Sequence, residues 1–226
     1  MKAYWYKHNN VGDTLTPIIL EHFLGKKIKW VDRNESGKIL AVGSIMSALR
    51  SGDLVWGAGV MRETDKFPMA KDCKFLAVRG KLSEKILGVD VGVYGDPALL
   101  LPLIYNPVIE KKYDVGYIPH YVDKSLFEYK NIIDVELPWK EFIDRVLECR
   151  SIESSSLHGL IIAEAYGIPA TWKVYSNKVI GNGFKFRDYL TGTGREEQGP
   201  GEFPPIENIV EIQISLINSL KKYYGK

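Results

Sequence analysis

Apolar residues along the 226-residue chain recur with two different periods, and the two alternate. Compact apolar runs at residues 3–6, 28–31, 39–42, 54–56, 75–78 and 91–94 read as short strands. Residues 81–87 carry apolar side chains at helical spacing, as do residues 14–23. Gly12-Asp13-Thr14 opens the earlier of these helices, with Pro17 tolerated in its first turn. A proline- and charge-rich stretch at residues 107–112 reads as a linker. A second series follows it: strands at 114–120 and 132–135, a helix at 139–150, and a strand at 171–174. The polar, glycine-rich run at 191–205 reads as a mobile loop. Residues 206–224 then form a helix with Ile209, Ile212, Leu216 and Leu220 on one face. Strands alternating with helices predict parallel α/β sheets. The break near residue 107 divides them into two α/β halves facing a cleft, residues 1–110 and 111–226. No internal repeat is visible.

An apolar fraction of 45% in a chain of this length is enough to bury real cores. Thirty basic against twenty-eight acidic residues leave a net charge of +2, which argues against nucleic acid as a partner but still allows local cation clusters to collect a small anion. Cys73 and Cys149 fit no metal or CxxC spacing and read as reduced, buried thiols. The start of the chain lacks a signal-peptide apolar core, and no apolar run reaches membrane-spanning length. A soluble, cytoplasmic protein is expected.

Candidate chemistry concentrates at Ser154-Ser155-Ser156-Leu157-His158-Gly159, where a hydroxyl run and a histidine lead into an apolar helix that stops at Gly167-Ile168-Pro169. A helix start offers unpaired N–H groups and the positive end of the helix dipole, to which serines add capping oxygens. Together they make an anion site, and a histidine there also moves a proton near neutral pH. A capped helix with a surface histidine is the plainer alternative. Arg79, directly after a strand, stands where open α/β sheets bind ligands, or caps a turn there. Gly12-Asp13 brings another helix start to the cleft or only caps that helix. Gly57-Ala58-Gly59 permits close backbone approach to a ligand or is a tight turn. His120 ends a strand and faces the cleft in one reading, Asp96 before Pro97 reads as a turn residue, and Trp139 and Trp172 stack on sugars or fill cores.

Several of these motifs occur in an order that resembles the polysaccharide pyruvyl transferase family, in its shorter exopolysaccharide branch. They are Asn10-Val11-Gly12-Asp13, Trp56-Gly57-Ala58-Gly59, Val78-Arg79-Gly80, Gly95-Asp96-Pro97, Gly116-Tyr117-Ile118-Pro119-His120, Ser155-Ser156-Leu157-His158-Gly159 and Lys185-Phe186-Arg187-Asp188-Tyr189. The resemblance implies two Rossmann-like domains facing a cleft, as in GT-B glycosyltransferases. It also implies transfer of the pyruvyl unit of phosphoenolpyruvate onto two sugar hydroxyls, giving a ketal and phosphate. Arg79 corresponds to the donor-binding arginine and Leu157-His158 to the active-site pair, with Lys185, or its rival Lys178, as a second basic residue.

Bidentate cations and helix N-termini suit a donor carrying carboxylate and phosphate. His158 is then the acid–base group, and Arg79 and a lysine stabilise the anionic groups. Ser156, Leu157, Lys185, Gly12, Asp13, Gly57, Gly59 and His120 complete the expected donor site. No step requires a metal or a further cofactor. A sugar acceptor is expected, free or on a lipid carrier, and the lipid-linked form would bring peripheral contact with the inner membrane. Two alternatives stay open. One is a GT-B glycosyltransferase with a sugar-nucleotide donor, for which Glu153 and Glu164 are the acidic candidates. The other is a carbohydrate-binding protein without activity.

Overall fold

Five of the six apolar runs of the first series, too short to be stable alone, become strands of one parallel sheet. The computed structural model describes residues 1–8, 10–127 and 131–225. In it β1 (Lys2–Tyr4), β2 (Lys29–Trp30), β3 (Ile39–Leu40), β4 (Leu54–Trp56) and β5 (Lys74–Ala77) are ordered β2-β1-β3-β4-β5. All three side chains of β4 are buried, as expected for a strand covered on both faces. Helix α1 (Val11–Leu24) is capped by Asn10, whose side chain accepts from the Gly12 N–H at 3.1 Å, and ends at Gly25 in the left-handed region. It starts earlier than its apolar spacing suggests. Pro17 therefore lies in its second turn and leaves the Asp13 carbonyl without its i+4 donor. Helix α2 (Lys81–Leu87) follows β5.

The second series forms its own sheet, β6 (Tyr113–Ile118), β7 (Cys149–Ser154), β8 (Ala170–Trp172) and β9 (Gly201–Glu202), parallel except for β9. Helices α3 (Trp139–Leu147), α4 (Leu157–Ala165), α5 (Phe184–Gly192) and α6 (Ile209–Tyr224) complete the chain. Helix α4 is buried almost all round, so it shows no amphipathic stripe.

Five segments differ from the sequence expectation. The helix at 139–150 stops at Leu147, and the polar residues Arg150, Ser151 and Glu153 run on as central strand β7. Residues 91–94 and 132–135 make only the single bridges Val78–Tyr94 and Tyr117–Ile132. The run at 191–205 is anchored: Arg195 grips Glu164 at 2.5 and 3.1 Å, Phe203 is buried, and β9 pairs with β8. Helix α5, with charged residues throughout its apolar pattern, was not expected.

The last helix turns back to the first series. Trp56 Nε1 donates to the Leu216 carbonyl at 2.9 Å, and Gln213 Nε2 donates to the Leu99 carbonyl at 2.7 Å. Among the described residues no helix is long and apolar enough to cross a membrane, and no group of three His, Cys, Asp or Glu side chains could hold a metal ion.

Candidate active site

Three helices begin at one place. Helix α1 starts behind Asn10, α4 behind Ser156 and α5 behind Gly183. Asn10 and Asp13 from the first, Ser156, Leu157 and His158 from the second, and Lys185 from the third line one cleft of about 300 Å³. The positive ends of three helix dipoles thus face a small volume, which favours an anion there, although the first N–H groups of α1 are already bonded, to the Val135 carbonyl, Asn10 Oδ1 and the Asn10 carbonyl. His120, Ser44, Tyr4 and Arg33 complete the wall.

The charges in this cleft are few and poorly compensated. Lys185 is only 7% exposed, yet among the described residues no hydrogen bond or ion pair is made to its ammonium, which lies 5.4 Å from the Phe186 ring. Burial, helped by nearby Arg79, pushes its pKa down to about 8 against the opposing pull of Asp13. Burial raises the Asp13 carboxyl to about 6 against the opposing pull of His158, His8 and Lys185. Burial also lowers His120 to about 4, reinforced by Lys185, so that ring is neutral near pH 7.

His158 sits between two elements. Its Nε2 lies 3.5 Å from Asp96 Oδ2, and both atoms are buried with no hydrogen-bond partner. The other Asp96 oxygen accepts from the Ala98 N–H at 2.9 Å, which fixes the carboxylate. On the far side the ring passes over Gly12, where a Cβ would stand 2.1 Å from Nδ1. Gly12 is needed because the histidine occupies that space.

The serines divide their labour. Ser154 donates to the Ile118 carbonyl at 2.7 Å. Ser155 accepts from the His120 N–H at 2.9 Å and donates to buried Asp123 at 2.7 Å, whose other oxygen takes the Ser176 hydroxyl. Ser156 makes no capping bond and lines the cleft, so its hydroxyl is the one left for a ligand.

Arg79 departs from the sequence expectation. It is fully buried behind the cleft, and its guanidinium is occupied: Nε by Asp188 at 2.9 Å, Nη1 by Ser44 at 2.6 Å and Nη2 by the Val60 carbonyl at 2.7 Å. It reaches the cleft only through Ser44. The glycines of the β4 turn serve neighbours too. A Cβ at Gly59 would stand 2.2 Å from Arg79 Cζ, and one at Gly57, where φ is +87°, would stand 2.3 Å from Pro97 Cδ.

The family model for polysaccharide pyruvyl transferase matches residues 54–177, more than half of the chain. The chain belongs to this family. Among curated relatives, it is 29% identical to an uncharacterized protein, L143, of Acanthamoeba polyphaga mimivirus, over 85% of this chain and 74% of that protein. It is 25% identical to the succinoglycan biosynthesis protein ExoV of Rhizobium meliloti, over 86% of this chain and 65% of that protein. No solved structure matches it.

In this polysaccharide pyruvyl transferase family member, Leu157, His158, Ser156, His120, Asp13 and Lys185 meet in the cleft, while Arg79, Gly12, Gly57 and Gly59 stand behind it. Of the two rival lysines, Lys185 lines this cleft and Lys178 lines a neighbouring cavity. Trp139 packs edge-on against Tyr105, and Trp172 stacks on Phe186 at 4.4 Å. Glu164 is held by Arg195, and Glu153 pairs with Lys173 at 3.3 Å, so neither lies in the cleft. Sequence reasoning missed Arg33, Ser44 and Tyr4 on the wall, and the positioning carboxylates Asp96, Asp123 and Asp188. Asp96 and Asp188 stood inside quoted motifs, which was the available signal.

Proposed function

We propose that the protein transfers the pyruvyl unit of phosphoenolpyruvate to two hydroxyls of a saccharide, forming a cyclic ketal and releasing phosphate. One observation carries this reading: buried Lys185, which makes no ion pair among the described residues, shares a small cleft with His158 and the starts of three helices. Such a cleft suits a compact polyanion of three carbons better than a neutral ligand. The family and the succinoglycan relative support pyruvyl transfer during polysaccharide synthesis. We read the two sheets as two Rossmann-like domains, residues 1–110 and 111–226, facing each other across this cleft as in GT-B enzymes.

In the proposed reaction the donor methylene gains a proton and becomes a methyl group, and C2 becomes electrophilic. One sugar hydroxyl adds to C2 and loses its proton. The second hydroxyl then displaces phosphate and loses its own proton, which leaves a ketal. His158 suits the proton steps. Asp96 Oδ2, 3.5 Å from Nε2 and not hydrogen-bonded to it, favours the proton on that side of the ring, which would leave Nδ1 as the working atom. Lys185 and the N–H groups of α4 and α5 stabilise the carboxylate and the departing phosphate. Arg79 adds positive field through the wall and holds Ser44 in place.

The test is phosphate release and product mass with phosphoenolpyruvate and a panel of free and lipid-linked saccharides. Without any ketal product the reading fails. A sugar-nucleotide donor releasing nucleoside diphosphate would replace it with glycosyl transfer. His158→Asn is expected to bind phosphoenolpyruvate almost normally while turnover falls about 10²-fold or more, the scale of a lost acid–base group. Full turnover in that variant would assign His158 to binding.

A further inference from the structure

A second cavity, of about 560 Å³, adjoins the cleft. Ile180 lines both, and the boundary runs between Ser155 on the outer side and Ser156 on the inner. We propose that this cavity binds the acceptor as an anionic saccharide, with Lys173, Lys178 and Arg187 gripping a phosphate or carboxylate that it carries. That the ligand is the acceptor rests on the pyruvyl-transfer reading; that the cavity binds an anionic saccharide does not.

The charge of the wall is the first reason. Three cations line the cavity and no carboxylate does. Lys173 leans on Glu153 at 3.3 Å and Arg187 on Glu197 at 3.4 Å, both carboxylates outside the lining. These pairs are part-exposed and therefore weak, so a ligand anion can replace them. Lys178 is exposed and makes no ion pair among the described residues. A neutral ligand would give these cations nothing to pair with.

The second reason is construction. Gly181, Asn182 and Gly183 all have positive φ, and the Arg187 Nη1 donates to the Asn182 carbonyl at 3.1 Å. A Cβ at Gly181 would stand 2.4 Å from the Met61 carbonyl, so this turn is seated tightly against the first series. Asn177 and Asn182 add amides suited to sugar hydroxyls, over the rigid Trp172–Phe186 stack.

The third reason is reach. Both acceptor hydroxyls must meet C2 of a donor held by Lys185 and His158. At about 300 Å³ the inner cleft is at the small end of ligand pockets, so the bulk of an acceptor needs adjoining space. The ring to be modified then lies at Ile180, with its anionic part farther out among the three cations.

The test is calorimetric binding of glucose 1-phosphate, glucuronate and glucose to the intact protein, with and without saturating phosphoenolpyruvate. At least one charged probe is expected to bind roughly 10- to 100-fold more tightly than glucose, the scale of hydrogen bonds to charged groups. That preference should survive saturating phosphoenolpyruvate and disappear in Lys178→Gln/Arg187→Gln, whose unfolding midpoint and phosphoenolpyruvate affinity should stay near the parent values. Equal binding of glucose, no binding of either charged probe, or displacement by phosphoenolpyruvate would each overturn the proposal. None of these readouts depends on turnover, so the site and the reaction fail separately.

Discussion

Arg79 and Lys185 are both buried cations within one site, and they stand in opposite electrostatic situations. Every arm of Arg79 is bonded, to Asp188, Ser44 and Val60, and it links the strand-β5 end to helix α5. Lys185, on that same helix, makes no ion pair among the described residues, feels Asp13 only across the cleft, and lines it. The difference teaches that a cation in a family motif marks a place where charge is needed, not which direction the charge faces. A saturated guanidinium holds structure together; an unsaturated ammonium waits for a ligand. Arg33 is a third case, exposed at the cleft mouth with its Nη2 on the Ser47 carbonyl at 3.2 Å.

The largest effect expected is on the saturated side. Asp188→Ala removes the carboxylate that accepts from Arg79, from the Ser83 N–H at 2.7 Å and from the Ser83 hydroxyl at 2.6 Å. An unpaired buried guanidinium costs about 3–5 kcal/mol. Urea unfolding should show that loss, and Arg79→Lys should lose stability as well because one ammonium cannot replace the three-way fork. If Arg79→Lys instead keeps its unfolding midpoint and loses only phosphoenolpyruvate affinity, the roles of the two cations are exchanged.

The same contrast explains what was legible in the sequence. Period alone gave the strands of the first sheet, because each is a short apolar run, and it gave helices α1, α2 and α6. It missed β7, where Arg150 is exposed and Ser151 and Glu153 are half-buried, and it missed α5, where Lys185 and Asp188 are buried for reasons that no hydrophobic pattern encodes. The loop at 191–205 read as mobile because Arg195 finds Glu164 only through folding, 31 residues away. In the site, His158, Leu157, Ser156, Asp13, His120 and Lys185 were readable from motifs. Their partner Asp96 reads as a turn residue, which it also is, because one of its oxygens caps Ala98 while the other faces His158.

Lys185→Gln is expected to weaken phosphoenolpyruvate binding about 10- to 100-fold, the range for a charge-assisted hydrogen bond, with little change in unfolding. In the parent the affinity should fall as pH rises through about 8, because burial and Arg79 have lowered the pKa of the ammonium that binds. The variant's profile should lack that decline. A parent profile that stays flat to pH 10 would show that the donor does not meet Lys185.

Asp13→Asn probes the same cleft through stability. Burial pushes the folded carboxyl up to about 6, above its ordinary 3.8, so the folded state holds the proton more tightly. Its stabilising contribution is complete below pH 3.8 and is lost as pH rises through about 6. Removing the charge should therefore stabilise the protein at pH 8, by about 1–3 kcal/mol, with the gain closing towards pH 4. Thermal melts at both pH values decide it; a variant less stable at pH 8 would mean that Asp13 is held by partners that favour its charge.

Arg33 should give the smallest effect, and its salt dependence makes it the sharpest comparison with Lys185. An exposed cation at the mouth interacts through water, where such contacts are worth about 0.2–1 kcal/mol. Arg33→Gln is therefore expected to weaken phosphoenolpyruvate binding only about 1.5- to 5-fold at low salt. Screening acts over about 3 Å at 1 M ionic strength, so the difference from the parent should vanish there. The Lys185→Gln difference should persist in the same buffer, because ions do not enter the space between a buried ammonium and its ligand. Titrating phosphoenolpyruvate into both variants at low and high salt separates the cases. Equal salt sensitivity would place Lys185 in solvent and remove the reason for giving it the central role.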